Sequence, residues 1–141
     1  MSQDLRSFVS TFQDKFPEDV IRVSEPIDLQ YDIMALVLEY ERRRRFPILF
    51  FDNISGHKIP IICNLMATRR SLALALGVDE PELSDEFSRQ LLNYIDPQVV
   101  EDPPFHQVVR SGKDADLGLL PIPTYFPGDA GPYFAEGMVV A

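Results

Sequence analysis

One cysteine, two histidines and only 13 basic residues against 22 acidic ones are spread over 141 residues. Each shortage excludes something. The lone thiol, Cys63, cannot form an intramolecular disulfide, so nothing points to an oxidising compartment. It sits in the apolar stretch IPIICNL with no nearby histidine or cationic helix start. A buried small hydrophobe is expected there rather than an activated nucleophile. His57 falls in a turn and His106 in a proline-rich stretch, and neither has metal-ligand spacing to cysteine or acid. The formal net charge of −9 supplies no cationic face for nucleic acid or anionic lipid. No apolar run approaches the length of a membrane helix, and residues 2–16 carry charges throughout instead of a signal-peptide core. The expectations are a cytoplasmic protein, no nucleic acid and no membrane.

With 45% hydrophobic residues the chain can bury a core. Leu5, Phe8, Val9, Phe12 and Phe16 recur at helical spacing, with Ser2 or Asp4 as cap and Pro17 as stop. Val20–Val23 reads as a short strand. A second helix carries Ile33, Leu36, Val37 and Tyr40 on one stripe and ends in Arg42–Arg45. Cations there complement the negative end of the helix, which in an acidic chain is the simpler reading than a phosphate patch. Ile48–Phe51 is a continuous apolar run, hence a strand covered on both faces. It turns through DNISG, with Asn53 and Gly56 suited to positive φ, into a returning strand Ile59–Leu65. A helix follows between the Thr68 cap and Gly77. Another is capped by Ser84, with Phe87, Leu91 and Ile95 along one face. Between Val78 and Pro104 there are eight acidic residues and one basic residue, a solvated acidic face or linker.

Beyond Ile95 the composition changes. Seven of the twelve prolines lie from Pro97 onward and five of the seven glycines from Gly112 onward. The last 22 residues, LPIPTYFPGDAGPYFAEGMVVA, read as an extended proline leader, a turn permitted by Gly128 and Gly131, and a strand. The G-x-x-G spacing meets neither phosphate-loop nor dinucleotide requirements. It is a turn, or else a backbone segment that approaches a ligand. Glu136 shares a strand face with Phe134 and Met138, which makes that face mixed. No pair of carboxylates stands in an apolar setting, so no catalytic constellation can be assembled.

Taken in order, the blocks DLRSFVSTF, EPIDLQYDIMAL, FPILFFDNISGHKIPIICNLMATRRSLALALG and DLGLLPIPTYFPGDAGPYFAEGMVV resemble the N-terminal part of the UbiD family of prenylated-FMN-dependent aromatic-acid decarboxylases. The hairpin block is the most specific, with Phe51, Asn53, Gly56, Pro60, Asn64-Leu65, Arg69 and Leu76-Gly77.

This resemblance implies an α/β (mixed α+β) fold. A small N-terminal α/β domain, residues 1–104, would precede a proline- and glycine-rich connector and the first strand of a split β-barrel cofactor domain, residues 105–141. It implies a carboxy-lyase that reversibly removes CO2 from an aromatic or unsaturated carboxylic acid. The cofactors would be prenylated FMN and Mn2+, often with K+, and the full-length protein a homo-oligomer. The family's metal and catalytic residues follow the strand at which this sequence stops, so no catalytic and no metal residue can be carried over. The segment alone is expected to be inactive. Only Ala135, Glu136 and Met138 fall where cofactor contacts begin; many relatives have Thr at the position of Ala135. The alternative reading is a non-catalytic docking or scaffold module that keeps the family's N-terminal fold.

Overall fold

The computed structural model describes residues 4–96 and 99–135. Helix α1 (Leu5–Lys15) starts at Asp4, whose carboxylate accepts the amides of Arg6 and Ser7 at 2.9 and 3.0 Å. That satisfies two of the donors a helix start leaves open. Of the two expected caps it is Asp4 that acts; Ser2 lies outside the described residues. A 3-10 turn beginning at Pro17 leads into strand β1 (Val20–Val23). A loop then reaches α2 (Asp32–Arg42), β2 (Ile48–Phe51), β3 (Ile61–Cys63), α3 (Arg69–Leu76) and α4 (Leu83–Leu91).

The three strands form one mixed sheet in the order β1-β2-β3. β1 runs parallel to β2, with Val20 opposite Ile48, and β3 is antiparallel, with Cys63 opposite Leu49. Alternation then divides the apolar residues between two layers. Leu49 and Phe51 join Val23, Ile27, Ile33 and Ile54 on the α2 side, where Leu36, Val37 and Tyr40 pack against them. Ile48 and Phe50 face the other way, toward Phe8, Val9 and Phe12 of α1 and Leu74 of α3. The unbroken apolar run of β2 is thus explained by cover on both faces.

Four local expectations are corrected. Asn53 does not take positive φ; Gly56 does, at 79°, as do Tyr31, Arg44 and Asn64. Asn53 is held instead by pairing across the end of β1. Its carbonyl accepts the Ile27 amide at 2.9 Å, and its side-chain amide donates to the Ser24 carbonyl at 3.3 Å. The returning strand is Ile61–Cys63 rather than Ile59–Leu65, because Pro60 has no donor and Asn64, at φ 61°, turns the chain away. Ser84 is not a cap. A 3-10 turn, Glu80–Glu82, runs straight into α4, so Ser84 already lies inside the first turn. Its hydroxyl accepts Arg69 Nη2 at 3.3 Å. Finally, α4 ends at Leu91, so Ile95 lies beyond the helix whose face it was expected to share with Phe87 and Leu91; all three are exposed. Thr68 and Gly77 cap α3 as expected, with Gly77 at φ 73°. The expected barrel strand lies outside the described residues.

Candidate functional site

The proline leader does not hang free. Pro121 and Pro123 are buried, and the segment lies alongside the loop between β1 and α2. Thr124 donates its amide to the Leu29 carbonyl at 3.0 Å, and its carbonyl accepts the Tyr31 amide at 3.0 Å. The receiving loop is itself pinned. Asp28 accepts the Gln30 amide at 2.8 Å, Asp32 accepts the Asp28 amide at 3.0 Å, and Tyr31 at φ 77° turns the chain into α2. Proline fits here because its fixed φ keeps the leader extended and the missing donors face away from the pairing. The result is a strap that fixes how the C-terminal segment leaves the sheet domain.

After the strap the chain reverses. Asp129 accepts the amides of Tyr125 and Phe126 at 3.1 and 2.8 Å, the Tyr133 amide returns to the Pro123 carbonyl at 3.0 Å, and the Tyr125 and Tyr133 rings meet edge to face at 4.9 Å. Partial burial, and then the negative charge of Asp129, push the Tyr133 hydroxyl above its ordinary range. The turn therefore rests on Asp129, which the sequence reading passed over in favour of its glycines. Asp was legible there, since its side chain commonly accepts nearby backbone amides in turns. Gly128 has no positive φ, and a Cβ added to Gly128 or Gly131 would meet nothing within 4 Å. The reversal is thus held by Asp129 and the Tyr133–Pro123 bond.

Of the anticipated cofactor contacts, Ala135 lies exposed in the turn that ends the described segment, and Glu136 and Met138 lie outside the described residues. The other candidates are occupied elsewhere. Burial pushes the Cys63 thiol up to about 11, which leaves it protonated and unreactive at neutral pH. Arg42 and Arg43 pair with Glu39, the latter at 2.6 Å, and Arg43 chiefly holds the Glu39 carboxyl below its usual range. Arg45 donates to the Glu18 carbonyl at 2.7 Å and lies over the Tyr40 ring. Arg42 and Arg43 are thus paired within their own helix end, and Arg45 is tied to the turn before β1.

A cleft of about 180 Å³ opens between the end of α1 and α3, lined by Phe16, Arg70, Leu74, Val78 and Glu80. Arg70 is committed within it. It pairs with Asp19 at 2.6 Å and Glu80 at 3.3 Å and stacks on the Phe16 ring. The cleft is smaller than the roughly 300 Å³ at which small-molecule sites begin. Among the described residues no group of three or more His, Cys, Asp and Glu is placed to hold a metal, and no buried side-chain nitrogen or oxygen lacks a hydrogen-bond partner. The described residues do not fit a flavin-and-metal centre. No described helix is long and apolar enough to cross a membrane.

Comparison with known proteins accounts for a domain of this design. The model of the 3-octaprenyl-4-hydroxybenzoate carboxy-lyase N-terminal domain matches residues 13–91, and that of the same enzyme's Rift-related domain matches residues 98–141. Among solved structures, the UbiD-class enzyme HmfF from Pelotomaculum thermopropionicum, in an evolved dimeric form in complex with prFMN, is similar over 93% of this chain and 30% of its own. The identity is 25% and the TM-score 0.74. Vanillic acid decarboxylase from Sedimentibacter hydroxybenzoicus is 27% identical, with TM-score 0.77, over 94% of this chain and 30% of its own. For the 3,4-dihydroxybenzoic acid decarboxylase from Enterobacter cloacae the values are 26%, 0.71, 92% and 29%. The chain thus spans less than a third of the length of these relatives. With the sheet, the strap and two consecutive family domains in the right order, the chain belongs to the UbiD family of carboxy-lyases and corresponds to its N-terminal part.

Proposed function

We propose that this chain is the N-terminal segment of a decarboxylase that reversibly removes CO2 from an aromatic or unsaturated carboxylic acid. Prenylated FMN and a divalent metal, Mn2+, together with K+, would supply the chemistry, held by polypeptide outside this chain. The observation that carries the reading is the strap. A segment matched by the Rift-related family model is hydrogen-bonded, through Thr124, to the sheet domain matched by the N-terminal model. The sheet domain would then act as a rigid mount that aims the chain into the cofactor domain. The division into residues 1–104 and 105–141, a homo-oligomeric full-length enzyme and a cytoplasmic location belong to the same proposal.

The test has two arms. Purified chain mixed with prenylated FMN, Mn2+ and a panel of aromatic and unsaturated acids should release no CO2. A polypeptide continued along the reading frame past Ala141, made in cells that synthesise prenylated FMN, should release CO2 from at least one acid. Turnover by the short chain would refute the assignment of catalysis to other polypeptide. A continued polypeptide that binds no prenylated FMN would refute the decarboxylase reading itself.

A further inference from the structure

One side of α4 and the residues after it are apolar and face solvent. Leu83, at the start of the helix, is 5% exposed, whereas Phe87 is 55%, Leu91 71%, Leu92 89% and Ile95 80% exposed. Side chains of this size, exposed in succession, form a patch of the kind that marks an interaction surface. The sheet domain has no place for them. Both faces of the sheet are already covered by α1 with α3 and by α2. α4 packs chiefly against α3 and the 3-10 turn before it. The charged side of the helix is closed on itself, since Arg89 pairs with Glu86 at 2.6 Å and Gln90 donates to the same carboxylate at 2.7 Å.

We propose that this apolar side, centred on Leu91, Leu92 and Ile95, is the surface on which the remainder of a UbiD polypeptide docks. The inference rests on the family reading above and adds to it a specific interdomain face. Three observations select the occupant. The patch straddles the junction between the two family models, one ending at residue 91 and the other beginning at 98, where a following domain must come close. Relatives carry roughly 70% of their length beyond the matched part, ample polypeptide to cover it. A second copy of this chain is a poorer occupant, because each copy brings a net charge of −9 and the two would repel.

Hydroxyl-radical footprinting with mass spectrometry reads side-chain cover directly. The chain alone is compared with a chimera in which it replaces the matching N-terminal region of the Sedimentibacter vanillic acid decarboxylase. Oxidation of Phe87, Leu91, Leu92 and Ile95 should be rapid in the chain alone and several-fold slower in the chimera. Leu5, exposed on α1, should be unchanged. Equal oxidation in both proteins overturns the proposal. So does protection in the chain alone accompanied by a dimeric mass in light scattering, which would make the occupant a second copy. A variant of the chain itself, Leu91→Ser with Leu92→Ser and Ile95→Ser, keeps the proposal testable if the chimera fails to fold. Its Tm should stay within about 2 °C of the parent, since surface substitutions cost little. A larger drop means these residues support the sheet domain, and overturns the proposal. Protection upholds the surface whether or not the chimera is active; the decarboxylase reading is judged separately, by prenylated-FMN binding and CO2 release in the continued polypeptide.

Discussion

Replacing Thr124 with proline is the sharpest test of the strap. Residue 123 is already proline and the segment is extended, so the leader's backbone is compatible with a second ring. The substitution removes the amide that reaches the Leu29 carbonyl at 3.0 Å and puts a ring carbon in its place, against the same oxygen, so the two segments must also part there. A hydrogen bond of this kind is worth about 0.5–1.5 kcal/mol net, and Leu29 is only half-buried, so water can partly replace the lost donor. With the crowding of the ring against the Leu29 carbonyl added, Thr124→Pro should weaken strap docking by at least about 1 kcal/mol. The reporter is the Tyr31 amide, which donates to the Thr124 carbonyl on the other side of the same residue. If its exchange needs the strap to lift, a loss of at least about 1 kcal/mol speeds hydrogen–deuterium exchange roughly fivefold or more. The β2 amides, in the centre of the sheet, should keep their parent rates. The reasoning fails if Tyr31 exchanges at the same rate in both proteins. It fails equally if Tyr31 and β2 accelerate together, because the strap would then be part of the global fold rather than a clip upon it.

Two further outcomes test the sheet domain. Leu49→Ala, at a fully buried position of β2, should cost about 2–5 kcal/mol in urea unfolding with an unchanged m-value, and a loss under about 1 kcal/mol would contradict the two-sided packing. Burial raises the Cys63 thiol from 9.0 to about 11, so at pH 8 its thiolate is depleted roughly a hundredfold relative to the unfolded chain. Disulfide-reagent labelling should be slower by at least that factor until urea is added. The sign of the linkage is also fixed. The folded thiol holds its proton more tightly, so this contribution is complete below pH 9 and declines as pH rises toward 11. Labelling of the native chain at the unfolded rate would show the thiol to be open to solvent.

Most of the sheet domain could be read from local chemistry. Val20–Val23 and Ile48–Phe51 were legible because short segments dominated by β-branched and aromatic residues favour a strand. Thr68 and Gly77 were legible because caps have narrow requirements. What escaped the sequence depends on partners far along the chain. Asn53 looked like a turn residue, but pairing to Ser24 and Ile27 across the sheet decides its backbone. Phe87, Leu91 and Ile95 have the spacing of one helical face, but the helix ends at Leu91, and periodicity cannot say whether the surface that would cover these residues belongs to this domain. The strap was legible as an extended proline segment, but not the place where it docks. The turn after it was expected from Gly128 and Gly131 and is tied by Asp129. The site was less legible than the fold, because among the described residues no cluster of titratable side chains is placed to hold a metal.

The strap also sets an order of assembly. Leu29 and Thr124 are 95 residues apart, and closing so long a loop in an unfolded chain costs about 4 kcal/mol in entropy. Once α4 has packed, only the stretch between Leu91 and Pro121 has to close, and the cost falls to about 3 kcal/mol. Docking is thus about fivefold more favourable on a finished sheet domain than on a collapsing one. Synthesis runs in the same direction, since the ribosome releases α1 to α4 before it releases Thr124. The strap then works as a latch that closes after the domain is built. The polypeptide that follows it in a UbiD enzyme starts folding from an anchored end instead of a free one.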